Sequence, residues 1–172
     1  RQARRRPLTL WDRSVASRLP EIGDVDFQNR DEAKLALFRK VLDYGFCLVR
    51  DVPLRDGEVQ RVSELFGIVP PSPYADDPRL CGVDRNRFDP ARNTGGFTAH
   101  ALLPHTDSCW RQSVNGMTLM HCLEAHPHGG ESLLVDGFQV AKRLRETAPE
   151  AFDLLSTVPL PFAAPVSSQD EW

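Results

Sequence analysis

Apolar residues recur every three or four positions in two stretches of the N-terminal half of the chain. The first stretch begins near Asp31 and ends at Gly45, and its apolar positions are Ala33, Leu35, Ala36, Phe38, Val41 and Leu42. This period predicts an amphipathic helix that Asp31 can cap at its start and that Gly45 ends. A second helix is predicted from Asp56 to Gly67, with one apolar face made of Val59, Val62, Leu65 and Phe66.

Short continuous apolar runs predict strands in three places, at 46–49, 116–123 and 132–135. The pattern returns to helical spacing over 138–144 and 149–155. A strand over 158–162 would have to lie at the edge of a sheet, because the two prolines in this segment lack the amide hydrogen. The pattern therefore predicts strands accompanied by helices.

The composition is that of one soluble globular domain. The chain has 172 residues, of which 41% are hydrophobic and 26% charged, and its formal net charge is -3. This weakly negative charge gives no reason to expect nucleic acid as a partner. No apolar run approaches the roughly 20 residues that span a bilayer, and we expect no membrane association.

The cysteines indicate a reducing compartment. Cys47, Cys81, Cys109 and Cys122 are scattered and form no Cys-x-x-Cys pair. Such spacing predicts neither a disulfide scaffold nor a zinc ribbon, so a cytoplasmic location is the expectation.

One segment carries a pair of potential metal ligands, His105 and Asp107, separated by one residue. If the segment is extended, these side chains point to the same side. An imidazole and a carboxylate make up two thirds of the 2-His-1-carboxylate face that holds non-haem iron(II) and leaves positions open for substrate and dioxygen. A His-x-Asp tripeptide is common and usually belongs to a turn, so the neighbouring segments decide between the two interpretations.

Three segments in a fixed order carry a resemblance to a known family. Pro104-His105-Thr106-Asp107 is followed by Leu119-Met120-His121-Cys122-Leu123 and then by Gly129-Gly130-Glu131-Ser132-Leu133-Leu134-Val135-Asp136-Gly137-Phe138. The chain thereby resembles the iron(II)/2-oxoglutarate dioxygenases of the taurine dioxygenase superfamily. Within it, the chain is most similar to the branch that contains γ-butyrobetaine dioxygenase and trimethyllysine dioxygenase. The similarity extends more loosely from about Leu10 to Phe162.

The resemblance implies a mainly β fold with flanking helices (α+β), built on a double-stranded β-helix, or jelly roll. Residues 1–12, which are basic, would form a linker or tail after an N-terminal domain, and residues 13–172 would form the N-terminal part of the catalytic domain. The family's second iron-binding histidine, and the arginine that binds the 2-oxoglutarate carboxylate, lie further downstream. We therefore expect these 172 residues to contain only part of the jelly roll and half of the site.

The resemblance also assigns roles to single residues. His105 and Asp107 would be the catalytic iron ligands, and Ser132 would bind the distal carboxylate of 2-oxoglutarate through its hydroxyl. Halogenating relatives have a shorter residue in place of the carboxylate, so Asp107 favours hydroxylation.

Aromatic residues line the pocket in relatives that bind quaternary ammonium groups, whose charge interacts with the faces of the rings. Tyr74, Phe97 and Trp110 fall near the matching positions, although they are equally compatible with simple packing. Ser108 departs from the pattern, because γ-butyrobetaine dioxygenases commonly have an aromatic residue there.

The implied function is hydroxylation of a small amine, quaternary ammonium or amino-acid-like metabolite. Iron(II) and 2-oxoglutarate would be the cofactors, with ascorbate as reductant and dioxygen as co-substrate, and a homodimer is expected.

Two alternatives remain open from the sequence. One is a non-catalytic jelly-roll module for binding or assembly, with a degenerate metal site. The other is a zinc hydrolase that uses His105 and Asp107 together with His126 and His128, although the latter two are expected in an exposed turn. His121 has apolar neighbours and is expected to be a core histidine whose hydrogen bonds are satisfied.

Overall fold

The computed structural model describes residues 8–24, 31–67, 101–107, 109 and 116–162. These residues fall into two compact units. The first unit contains the described parts of 1–53 and 133–159, and the second contains those of 54–132 and 160–172.

The first unit contains a strand–helix–strand element. Strand β1 (Glu21–Gly23) pairs in parallel with strand β2 (Leu48–Arg50), and Ile22 lies opposite Val49. Helix α1 (Asp31–Tyr44) lies between the two strands in the chain and contacts β1. A parallel pair needs such a crossover connection, because a tight hairpin can join only antiparallel strands.

Leu37 belongs to the core of this unit, with a side chain that is 1% exposed. The predicted helix is confirmed, but the apolar face assigned to it is wrong at Leu35 and Leu42, which are 47% and 67% exposed. On a helix with about 100° between successive residues, Leu35 lies roughly 200° from Leu37. This helix carries apolar residues on several sides, so the periodicity of the sequence alone could not identify the side that packs inward.

The segment before the first strand is attached to the end of α1. The Thr9 N–H donates to the carbonyl of Asp43 at 2.9 Å, and the Trp11 indole N–H donates to the carbonyl of Tyr44 at 2.8 Å. These bonds satisfy carbonyl groups that a helix C-terminus leaves without an intrahelical partner. The Trp11 ring also packs edge-on against Phe46, with ring centroids 5.1 Å apart.

The two helices predicted over 138–144 and 149–155 are confirmed, and both are slightly longer. Helix α3 (Gly137–Thr147) and helix α4 (Pro149–Thr157) pack against each other. Pro149 occupies the first turn of α4, where its missing N–H has no intrahelical role. Among the described helices, none is long and apolar enough to cross a membrane.

Asp136 connects helix α3 to the N-terminal segment through both oxygens of its carboxylate. Its Oδ1 atom accepts the backbone N–H groups of Phe138 and Gln139, at 2.9 and 3.1 Å. Its Oδ2 atom accepts the backbone N–H of Trp11 at 2.9 Å. Asp136 is therefore both the N-cap of α3 and an anchor for a segment distant in sequence.

We expect the substitution Asp136→Ala to lower the free energy of unfolding by about 1–2 kcal/mol, because three backbone N–H groups lose their acceptor. Asp136→Asn retains one acceptor oxygen and should cost roughly half as much. Denaturant unfolding of the two variants tests this, and an Asp136→Ala protein as stable as the wild type would contradict it.

The second unit begins with helix α2 (Glu58–Ser63), which continues as a 3-10 turn (Glu64–Phe66). The predicted helix is confirmed but begins two residues after Asp56. Gly57 precedes it with φ +87°, a left-handed conformation that glycine adopts without steric cost. Val62, on the predicted apolar face, is 5% exposed.

Glu58 is a buried carboxylate held between two arginines. Its Oε2 atom accepts from Nε of Arg61 at 2.6 Å, and its Oε1 atom accepts from Nε of Arg55. The hydrogen bond from Arg55, followed by that from Arg61, holds the pKa of Glu58 below its usual range. Because both oxygens are paired, this residue can be accommodated among buried groups.

Glu58 should make the stability of this unit depend on pH. Since its pKa is depressed on folding, its contribution is fully present above the unfolded value of about 4.3, and it is lost as the pH falls through the lower folded value. We expect Glu58→Gln to lower the melting temperature at neutral pH, with the difference from wild type shrinking in acid. Thermal unfolding of both proteins across this range tests the pairing, and a difference that is independent of pH would contradict it.

Three of the predicted strands differ from the structure. Residues 116–123 and 132–135 form no strand, and Met120 and Leu133 are 79% and 70% exposed. A strand needs a neighbour for its backbone hydrogen bonds, and no described strand pairs with either segment. The strand predicted at 46–49 forms over Leu48–Arg50, as β2, and is only partly buried. Phe46 lies before it and packs against Trp11.

Residues 158–162, for which an edge strand was considered, also form no strand. Within the described residues, helices α1–α4 contain more of the chain than β1 and β2 do. The prediction of a mainly β protein is therefore not confirmed by these residues.

Candidate metal centre

His105 and Asp107 lie side by side in the second unit. The Nε2 atom of His105 is 3.3 Å from Oδ1 of Asp107, and each side chain is 53% exposed. The two side chains lie on the same side, although the segment bends at Pro104 and is not the extended strand on which the prediction depended. The exposed side of the pair leaves room for further ligands.

The backbone carbonyl of Leu103 lies 2.7 Å from the other ring nitrogen, Nδ1 of His105. A neutral imidazole carries its proton on one of the two nitrogens. On Nδ1 the proton is donated to this carbonyl, whereas a proton on Nε2 would leave two acceptors facing each other at 2.7 Å. The contact therefore favours the Nδ1–H tautomer, which leaves the Nε2 lone pair facing Asp107.

This arrangement fits two adjacent ligands of one metal ion. Two acceptors 3.3 Å apart, the Nε2 lone pair and the carboxylate oxygen, are placed to bind one metal ion together. First-row divalent cations bind imidazole and carboxylate at about 2.1 Å, so ligands at right angles lie about 3.0 Å apart. A metal-binding histidine also usually donates its other ring N–H to a carbonyl or carboxylate, as His105 does to Leu103.

The described residues provide no third protein ligand beside this pair. Within them, no group of three or more histidine, cysteine, aspartate or glutamate side chains is placed to hold a metal ion. His126 and His128 are exposed, as predicted, and Nδ1 of His126 contacts the backbone carbonyl and N–H of His128 at 2.6 and 3.1 Å. The zinc hydrolase, which would bring them to His105 and Asp107, is therefore not supported.

Ser132 follows the turn that two glycines form. Gly129 and Gly130 both have φ +81°, so the predicted turn is confirmed. Ser132 is exposed, and its hydroxyl is accessible to an anionic ligand. Its contact with 2-oxoglutarate remains a prediction.

The three aromatic residues assigned to the substrate pocket, Tyr74, Phe97 and Trp110, lie outside the described residues, as does Ser108. Their roles remain predictions.

His121 differs from the expectation of a satisfied core histidine. Its Nε2 atom is buried, and within the described part of the chain it has no hydrogen-bond partner. The expectation assumed that 116–123 would be a strand with neighbours. Since that strand does not form, no described strand lies beside the ring to offer an acceptor.

A family model described as "Taurine catabolism dioxygenase TauD, TfdA family" matches residues 4–169, which is nearly the whole chain. The match includes the segments of His105, His121 and Ser132. The chain belongs to the TauD/TfdA family. The resemblance identified from the three segments is thereby confirmed. This family implies a jelly-roll dioxygenase fold, and its members use iron(II) and 2-oxoglutarate.

Individual TauD-family relatives carry two kinds of name. A trimethyllysine dioxygenase from Bos taurus, described as mitochondrial, is 32% identical over 157 residues, which covers 90% of this chain and 36% of the relative. The corresponding Homo sapiens protein is 30% identical over 156 residues, with the same coverage. A γ-butyrobetaine dioxygenase from Pseudomonas sp. is 32% identical over 132 residues, which covers 77% of this chain and 33% of the relative.

The chain spans about a third of the length of these curated relatives. No solved structure matches it.

Sequence reasoning identified His105 and Asp107 but missed the carbonyl of Leu103 that orients the imidazole. Every residue carries a carbonyl, so composition gives no sign of such a partner. The available signal was Pro104, because a proline restricts how the preceding carbonyl is directed relative to the following residue.

Proposed function

We propose that this protein is an iron(II)- and 2-oxoglutarate-dependent dioxygenase that hydroxylates a small metabolite. The arrangement of His105 carries the proposal. Its Nε2 lies 3.3 Å from Oδ1 of Asp107, while its Nδ1 lies 2.7 Å from the carbonyl of Leu103. Membership of the TauD/TfdA family and the dioxygenase names of the relatives support the same reaction class.

In this proposal His105 and Asp107 bind iron(II) as neighbouring ligands, through Nε2 and a carboxylate oxygen. The iron, when bound, supplies the redox chemistry that activates dioxygen with 2-oxoglutarate as co-substrate, and ascorbate keeps it reduced. The half-exposed side of the pair leaves coordination positions open. The second histidine and the arginine that complete the site in the family are not assigned within these 172 residues.

Ser132 is proposed to bind the distal carboxylate of 2-oxoglutarate. Its exposed hydroxyl, directly after the glycine turn, can donate one hydrogen bond to an anion. A single charge-assisted bond of this kind contributes about 1.5–3 kcal/mol, so Ser132 would orient the co-substrate rather than account for most of its binding.

The proposed substrate is a quaternary ammonium or amino-acid-like compound. The relatives are named for trimethyllysine and γ-butyrobetaine, and both compounds carry a trimethylammonium group. Tyr74, Phe97 and Trp110 are proposed to contact that group, each aromatic face contributing about 0.5–2 kcal/mol.

Product analysis with matched substrates tests this function. The purified protein is incubated with iron(II), 2-oxoglutarate and ascorbate, and with trimethyllysine, γ-butyrobetaine or unmethylated lysine. We expect succinate to form with one of the two trimethylammonium compounds, whose mass should increase by one oxygen atom. No turnover with either compound would contradict the proposed substrate class, and equal turnover with lysine would contradict the proposed contact between the aromatic residues and a trimethylammonium group.

A second candidate is a non-catalytic jelly-roll module for binding or assembly. The pair of metal ligands without a third protein ligand, within the described residues, favours it. Such a module would bind iron(II) or 2-oxoglutarate but form no succinate under any of these conditions.

The organisation of the chain is also a proposal. Residues 13–172 would belong to the N-terminal part of the catalytic domain and residues 1–12 to a linker or tail preceding it. We propose a homodimer in the cytoplasm. Light scattering of the purified protein and fractionation of cells test these two points.

A further inference from the structure

The side chain of His105 and the carbonyl of Leu103 face each other across one proline. Their contact, 2.7 Å from Nδ1 to the oxygen, is shorter than the 3.3 Å from Nε2 to Asp107. Both side chains of the His105–Asp107 pair are half exposed. Burial therefore provides little to hold the imidazole, and within the described residues it is these two polar contacts that orient it.

Pro104 restricts the geometry of the shorter contact. Peptide bonds are planar, so only two soft backbone rotations, φ and ψ of residue 104, separate the Leu103 carbonyl from the Cα atom of His105. The pyrrolidine ring fixes φ near -65°. A residue other than proline could sample φ from about -60° to -160° in extended conformations. Such rotations would move the Leu103 carbonyl away from the imidazole of His105.

We infer that Pro104 is a positioning residue for the metal centre. By fixing the carbonyl of Leu103 against Nδ1 of His105, it selects the Nδ1–H tautomer and directs the Nε2 lone pair towards Asp107. Without this restriction, the proton can move to Nε2 and be donated to the carboxylate, and both metal ligands are then blocked by one hydrogen bond. The role of Pro104 towards iron rests on the proposed function, whereas its role towards the tautomer does not.

The test compares Pro104→Ala with Pro127→Ala. Pro127 is a suitable control because it also lies between polar residues in an exposed segment, with a histidine on either side, but away from His105 in sequence. Both changes remove one pyrrolidine ring, and each should alter stability only slightly, by about 0.4–1 kcal/mol.

The first measurement is the tautomer of His105 in the metal-free protein. The ring nitrogen chemical shifts are recorded by NMR at mildly alkaline pH, and His105→Ala identifies the signals. We expect the Nδ1–H tautomer in the wild type and in the control Pro127→Ala. In Pro104→Ala we expect a mixture of the two tautomers. A wild type with the proton on Nε2, or a Pro104→Ala protein that retains pure Nδ1–H, would overturn the inference.

The second measurement is the affinity for cobalt(II), a spectroscopic probe that takes the same ligands as iron(II). We expect Pro104→Ala to bind cobalt(II) about tenfold more weakly, because the Leu103 carbonyl is no longer held as the hydrogen-bond partner of His105, and loss of such an outer-shell partner weakens metal binding to this extent. Pro127→Ala should bind it within twofold of the wild type. Equal affinities in all three proteins would overturn the part of the inference that concerns the metal.

The two measurements separate this inference from the proposed function. A wild type that forms no succinate, but shows both effects of Pro104→Ala, would refute the dioxygenase reaction and leave the positioning role intact. A wild type that forms succinate, with tautomer and cobalt(II) affinity unchanged in Pro104→Ala, would refute only the positioning role.

Discussion

The variant His105→Ala should bind iron(II) more than about 100-fold more weakly than the wild type. Loss of an outer-shell partner already costs 10- to 100-fold, and this change removes a ligand atom that lies 3.3 Å from the carboxylate of Asp107. Among the described residues, only the carboxylate of Asp107 would remain as a ligand of this site. Anaerobic titration against a competing chelator measures the affinity.

His126→Ala is the matched control for this prediction. Its ring is exposed and contacts the backbone of His128, and it belongs to no described cluster of metal ligands. Its affinity for iron(II) should remain within twofold of the wild type. If both alanine variants lost affinity equally, the metal would be bound by surface histidines in general and not by His105 and Asp107.

The substitution Leu37→Ala should lower the free energy of unfolding by about 2–5 kcal/mol. Leu37 is 1% exposed and is the largest fully buried side chain among the described residues. Its removal loses the transfer free energy of the side chain and leaves a cavity between α1 and its neighbours. Denaturant unfolding monitored by circular dichroism measures the change.

Leu42→Ala provides a control on the same helix and with the same chemical change. Leu42 is 67% exposed, so its truncation should alter the free energy of unfolding by less than about 0.5 kcal/mol. Helix propensity changes equally in both variants and cancels in the comparison. Equal destabilisation by the two substitutions would contradict the assignment of Leu37 to the core.

Features that depend on local sequence were predicted well. Gly45 ends α1 with φ +78°, because the conformational freedom of glycine decides this position locally. The same holds for the turn at Gly129 and Gly130. The His105–Asp107 pair belongs to this group, since the two residues are only two positions apart.

Features that depend on distant parts of the chain were predicted poorly. The period of α1 could not distinguish Leu37 from Leu35, since the inward side is decided by contact with β1. The apolar runs at 116–123 and 132–135 were expected to be strands, but a strand forms only when a neighbour supplies hydrogen bonds. Likewise, no local pattern indicates that Asp136 also binds the N–H of Trp11.

The most direct test of the central claim is the visible absorption of the protein titrated anaerobically with iron(II) and 2-oxoglutarate. Chelation of iron(II) by 2-oxoglutarate produces a charge-transfer band that neither component gives alone. We predict that the band forms in the wild type and in His126→Ala, and that it is lost in His105→Ala. A band of equal intensity in His105→Ala would show that iron and 2-oxoglutarate bind elsewhere, and would contradict the metal centre assigned to His105 and Asp107.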